Sequence, residues 1–193
     1  MKKPLGLIGL SAAMILTVAS CSDTDTRSDG DQFNDADVAF AQDMIPHHRQ
    51  AIEMAEIATE RAQDPEVKVL ADDIIASQDR EIDTMTDWLE AWGEDVSSTS
   101  GEMDHGDIDH GDMDPGDMAG MMSEEDMNAL EMVAGDEFDQ LFLTMMIEHH
   151  QGAVEMSQTE QAEGESPDAI ALAKTIESDQ ESEIDKMETL LAS

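Results

Sequence analysis

The sequence predicts an all-α protein: a four-helix bundle made of two duplicated helical hairpins joined by a long Met/His/Asp-rich loop. Three observations predict it. The chain repeats itself at a fixed offset of 102 residues without a gap, and self-similarity at fixed spacing marks a duplication. Within each copy apolar residues recur at i, i+3, i+4 and i+7, the period of a helix with one buried face. A proline then divides each copy into two long segments, and proline suits the first turn of a helix.

Composition narrows the function. Among 193 residues, 47 Asp and Glu face 9 Lys and Arg, for a formal net charge of -38. Like charge repels nucleic acid and an anionic membrane surface, so neither is an expected partner. A single cysteine excludes an intramolecular disulfide and a Cys-rich zinc or iron–sulfur site. The unusual count is methionine, 16 in all.

Residues 1–20 read as a lipoprotein signal peptide. Lys2 and Lys3 precede an apolar run from Leu5 to Val18, too short for an ordinary membrane span and suited to a secretory core. Val18-Ala19-Ser20-Cys21 resembles a bacterial lipobox, whose cysteine becomes the lipid-bearing N-terminus. A plain signal peptide with a free thiol is the alternative. The expectation is an extracytoplasmic chain, lipid-anchored at Cys21 to the cell membrane or facing the periplasm. Residues 21–32 then form a flexible tether.

Residues 33–193 read as one domain. In the first hairpin, residues 33–93, Phe40, Met44, His47, His48, Ala51, Met54 and Ala55 share a helix face, with Gln42, Arg49 and Glu53 opposite. Asn34 is the expected N-cap with Asp37 at N3, and Phe33 is placed to staple to Val38. Pro65 opens a second helix with a stripe of Val67, Leu70, Ile74, Ile82, Met85 and Leu89, ending near Trp92-Gly93. Each long helix spans roughly 40 Å. Residues 94–122 form a loop with tandem Asp-His-Gly-Asp units, whose dense glycine and aspartate cannot build a core. Residues 123–134 read as a short helix opened by a Ser123/Asp126 capping box and closed by Gly135. The second hairpin, residues 136–192, repeats the first: Asp37, Phe40, Met44, His47, His48 and Met54 align with Asp139, Phe142, Met146, His149, His150 and Met156. Further on, Pro65, Gln78, Glu81 and Met85 align with Pro167, Gln180, Glu183 and Met187.

The duplicated His-His pair is the first candidate site. Met44 precedes His47 by three residues and His48 by four, so one helical turn presents a thioether beside an imidazole. Such donors, without cysteine and outside the cytoplasm, suit Cu(I) or its mimic Ag(I). Adjacent histidines point about 100° apart on a helix. One is therefore expected to face the bundle axis and the other a neighbouring helix, where Glu81 and Met85, or Glu183 and Met187, complete a site. The structural alternative makes Met44, Met54, Met146 and Met156 core filler and the histidines core residues satisfied by Glu or backbone. Pro46, inside the first helix where the second copy has Glu148, removes a backbone donor. An auxiliary site is expected in the loop, where Met103, His105, His110, Met113, Met118, Met121 and Met122 can wrap Cu(I) and His with Asp can take Cu(II).

Enzyme motifs are weak. A di-iron carboxylate bundle needs Glu-x-x-His on two helices, and the long helices carry none. The expectation is not an enzyme, with a ferritin-like redox enzyme and a metal-free interaction module as the alternatives.

Several linked motifs carry a family resemblance. Phe40-x-x-x-Met44-Ile45-x-His47-His48, Ala51-Ile52-Glu53-Met54-Ala55, Gln78-x-x-Glu81-Ile82-x-x-Met85-x-x-Trp88-Leu89 and Gly120-Met121-Met122-Ser123 together resemble the bacterial "domain of unknown function 305" family. The resemblance implies a ferritin-like four-helix bundle, often secreted, with some members binding copper in the periplasm and assisting copper tolerance. By resemblance the His and Met positions carry over as candidate ligands, and a copper exporter or oxidase is an implied partner. The Asp-His-Gly-Asp tandem loop and the extreme acidity depart from the family pattern.

Overall fold

A computed structural model describes residues 32–96 and 119–193. These residues form five helices and no strand: α1 (Asp35–Arg61), α2 (Pro65–Trp92), α3 (Glu124–Met132), α4 (Asp136–Glu163) and α5 (Pro167–Leu191). The signal peptide, the tether, Cys21, and Met103, His105, His110, Met113 and Met118 of the loop lie outside the described residues.

Helix ends follow local chemistry. Asn34 and Asp37 form a complete capping box on α1, and Ser123 and Asp126 form another on α3. Each satisfies two N-terminal donors, worth about 1 kcal/mol. Pro65 and Pro167 open α2 and α5 after side-chain caps from Asp64 and Ser166. Gly93 closes α2 in the left-handed region at φ 78°, a conformation that favours glycine.

One expectation changes. Gly135 does not close α3, which ends at Met132 with Val133 as its C-cap; it is the N-cap of α4, at φ 69° and without a side-chain cap. Phe33 stacks on Trp92, with ring centroids 4.7 Å apart, which joins the start of α1 to the end of α2. Helix α1 runs unbroken through Pro46, which is buried.

Packing joins α1 to α2, α4 to α5, and the two hairpins through α1 against α4, whereas α2 and α5 touch sparsely. The core falls into two apolar clusters. One combines Ala51, Met54, Ala55 and Ala58 of α1 with Phe138, Phe142, Leu143 and Met146 of α4, together with Val67 and Leu70 of α2 and Met187 of α5. The other combines Phe40, Ala41, Met44 and Ile45 of α1 with Ala153 of α4, Met85 and Leu89 of α2, and Ala173 and Ile176 of α5. The second half of α1 therefore lies along the first half of α4. In both helices the His-His pair falls between the segments that supply the two clusters.

The duplication also holds the hairpins together, through a reciprocal clasp. The Asp37 carboxylate accepts hydrogen bonds from the backbone N–H groups of Glu165 and Ser166, in the loop between α4 and α5. Asp139, its duplicate, accepts from the N–H groups of Gln63 and Asp64 at 2.9 and 2.8 Å, in the loop between α1 and α2. Each copy thus caps the hairpin turn of the other.

Candidate metal centre

All four pair histidines are fully buried, and they take two roles. His47 and His149 meet each other, with ring centroids 3.8 Å apart. His48 and His150 turn outward to α2 and α5, where Nε2 of each lies 2.7 Å from a carboxylate oxygen, of Glu81 and of Glu183 respectively. One histidine of each pair therefore faces its duplicate and the other reaches the adjacent helix, the division that the 100° step between neighbours requires.

Hydrogen bonding sets the ring tautomers. The Ala119 carbonyl can only accept, so His47 donates its Nε2–H to it, at 3.2 Å. Glu81 and Glu183 accept from His48 and His150 in the same way. In the neutral His47 ring this leaves Nδ1 as a bare lone pair, and Nδ1 of His47, His48 and His150 has no hydrogen-bond partner. His149 is more exposed to cost: neither of its nitrogens is paired. Buried polar atoms are ordinarily satisfied, and a cluster of unmet imidazole nitrogens calls for an explanation.

Electrostatics keeps the central rings neutral. Burial, with help from the neighbouring His48, lowers the His47 pKa to about 3, against the opposing pull of the Ala119 carbonyl. His149 is held well below the usual histidine range by burial and then by the imidazoles of His47, His150 and His48. Neutral imidazole is the form that ligates a metal.

Six methionines in the two apolar clusters on either side of the His-His pairs form a duplicated pattern. Met44, Met85 and Met156 belong to one apolar cluster, and their duplicates Met146, Met187 and Met54 to the other. Each triplet takes two thioethers from its own hairpin and one from the opposite hairpin. All are fully buried except Met156, which is half-buried. Met44 and Met85 lie four residues from His48 and Glu81, and Met146 and Met187 four from His150 and Glu183, one helical turn in each case.

Among the described residues no group of three or more His, Cys, Asp or Glu side chains is arranged to hold a metal ion. The donors present do fit a soft ion: thioethers, and imidazole nitrogens that are neutral, buried and unpaired. Hydrogen bonds to Glu81, Glu183 and the Ala119 carbonyl orient the His48, His150 and His47 rings.

Of the loop residues within the described part, Met122 is buried in the first cluster and Met121 is half-buried. Sequence reasoning missed several polar residues here. Gln78 and Gln180, one turn before Glu81 and Glu183, are buried with unmet side-chain atoms. Glu160 is buried beside Asp37, and burial first, then Asp37, raises its pKa to about 8. The signal available for the glutamines was their duplicated spacing; Glu160 stands where the first copy has Ala58, and nothing local marks it.

Residues 37–191 match the family model described as "Domain of unknown function (DUF305)". The chain belongs to this family. A crystal structure of a DUF305 protein from Streptomyces coelicolor, described as secreted, is 34% identical and superposes with a TM-score of 0.70, covering 81% of this chain and 92% of that one. CopM in its Cu(I)-bound form is 34% identical, with a TM-score of 0.63, covering 80% of this chain and 94% of that one. CopM is also known in Cu(II)-bound, Ag-bound and apo forms. An uncharacterized Acanthamoeba polyphaga mimivirus protein, L153, is 44% identical over 54 residues, 28% of this chain, and the match spans 36% of that protein's length. Among the described residues no helix is long and apolar enough to cross a membrane.

Proposed function

We propose that this chain is an extracytoplasmic copper-binding protein, lipid-anchored through Cys21, that sequesters Cu(I) or hands it over as cargo. Its long helices form a ferritin-like four-helix bundle around the site. The observation that carries the reading is the duplicated soft-donor layer: four buried histidines with unpaired Nδ1 atoms between the triplets Met44/Met85/Met156 and Met146/Met187/Met54. The Cu(I)-, Cu(II)- and Ag-bound forms of CopM support it. The bound state favoured is Cu(I), because thioether is a soft donor. Residues Met103 to Met122 serve as an auxiliary capture site able to take Cu(II) through His105 and His110, and a copper exporter or oxidase receives the ion. The test is metal analysis of protein purified from copper-supplemented cells. Copper should co-purify with the natural chain and be lost from the His47/His48/His149/His150→Ala variant; equal copper in both would overturn the reading.

A further inference from the structure

The segment Ala119–Met122 lies across the paired histidines and is held there by two residues that occupy duplicate positions. Gln50 on α1 and Gly152 on α4 are 102 residues apart, yet they have different side chains and grip the same segment. The Gln50 side chain grips the Met122 backbone at both ends: its Nε2 donates to the Met122 carbonyl at 2.8 Å, and its Oε1 accepts from the Met122 N–H at 2.7 Å. Gly152 supplies the gap. A Cβ there would collide with the Ala119 carbonyl and sit 2.9 Å from the Gly120 Cα. Gly120, at φ +78°, presses its backbone so closely on α4 that a side chain would sit 2.7 Å from the Glu148 carbonyl oxygen and 2.9 Å from that of His149. This docking brings the Ala119 carbonyl onto Nε2 of His47.

We infer that Ala119–Met122 is a strap over the His47/His149 pair, held by Gln50 and Gly152, that sets the His47 tautomer and controls access to the pair. Gln50 and Gly152 are positioning residues that act through the strap. With the strap seated, Nε2 of His47 is engaged by Ala119 and Nδ1 is the free donor; with it lifted, either nitrogen can carry the proton and the pair is uncovered. Divergence at one duplicated position supports this reading. A glutamine on both helices would leave no room for the backbone at 152, and a glycine on both would leave Met122 without its clamp. The access claim rests on the reading that the pair holds the metal, but the strap itself does not.

The test uses two variants of the full chain outside the donor set. Gln50→Ala removes the clamp. Gly152→Ala blocks docking while leaving α4 with a better helix former than glycine, so undocking cannot be ascribed to a weakened helix. Three measurements are read: amide hydrogen exchange at Met122, ethoxyformylation of His47 and His149 in metal-free protein, and Ag(I) transfer to excess small thiol. Both variants should lose Met122 protection, modify the pair at least about tenfold faster, and release Ag(I) at least about tenfold faster at unchanged stoichiometry. Natural-chain exchange and modification rates in both variants would overturn the strap, and lost protection with unchanged modification would overturn its control of access. If the natural chain takes up no Ag(I), the metal reading fails, while exchange and modification still decide the strap.

Discussion

His149→Leu is expected to stabilise the metal-free protein. The ring is fully buried and neither nitrogen has a hydrogen-bond partner. A neutral imidazole carries one donor and one acceptor, and each unmet buried group costs about 1–3 kcal/mol. Leucine keeps an apolar side chain in the same space, is a strong helix former and has nothing to satisfy. What it gives up is the ring contact with His47 at 3.8 Å, worth about 0.5–1.5 kcal/mol. The balance is a gain of roughly 0.5–5.5 kcal/mol. At about 2–4 °C per kcal/mol, the midpoint of thermal unfolding should rise by several degrees. Denaturant unfolding of both proteins at pH 7.5 with a chelator present measures this directly. A loss of more than about 1 kcal/mol would show that His149 contributes to the core as it stands, and that the buried imidazoles are structural.

Other consequences concern pH and the clasp. Metal-free protein should lose stability as pH falls from 6.5 toward about 3, because the unfolded chain binds a proton that the buried His47 does not, with His149 acting in the same direction; acid denaturation should show a shallower slope in His47→Leu. Glu160 acts with the opposite sign: its contribution is full below pH 4.5 and falls as pH rises toward about 8, so Glu160→Gln should flatten the stability profile between those values. Asp139→Ala strands the N–H groups of Gln63 and Asp64 and should cost roughly 2–4 kcal/mol, read by the same denaturant assay, with Asp37→Ala similar at the other hairpin turn.

The hairpins were legible in the sequence because helical period and caps are local signals. Asn34 with Asp37, Ser123 with Asp126, and Pro65 and Pro167 mark their helix starts within a turn, and the structure agrees at each. The two roles within each His-His pair were legible for the same reason, since neighbours on a helix cannot face one way. What lay beyond reach depends on how one copy meets the other. Spacing along one helix shows that Met44 and His48 are neighbours, but not that Met156 of the opposite copy joins Met44 in one cluster. Asp37 and Asp139 appear locally as first-turn acids, whereas their larger role is to cap a turn more than seventy residues away. Gln50 and Gly152 carry no local signal; only the chain crossing above them gives both a purpose. The stacking of Phe33 on Trp92 pairs residues nearly sixty positions apart, which no local signal marks.

The most direct measurement is a Cu(I) competition titration of three proteins: the natural chain, the His47/His48/His149/His150→Ala variant, and a deletion of residues 97–118. The account predicts tight binding by the natural chain, retention of the tight site in the deletion, and a loss of at least about a hundredfold, near 2.7 kcal/mol, in the histidine variant. Cu(I) binding that the histidine variant keeps at full strength would contradict it.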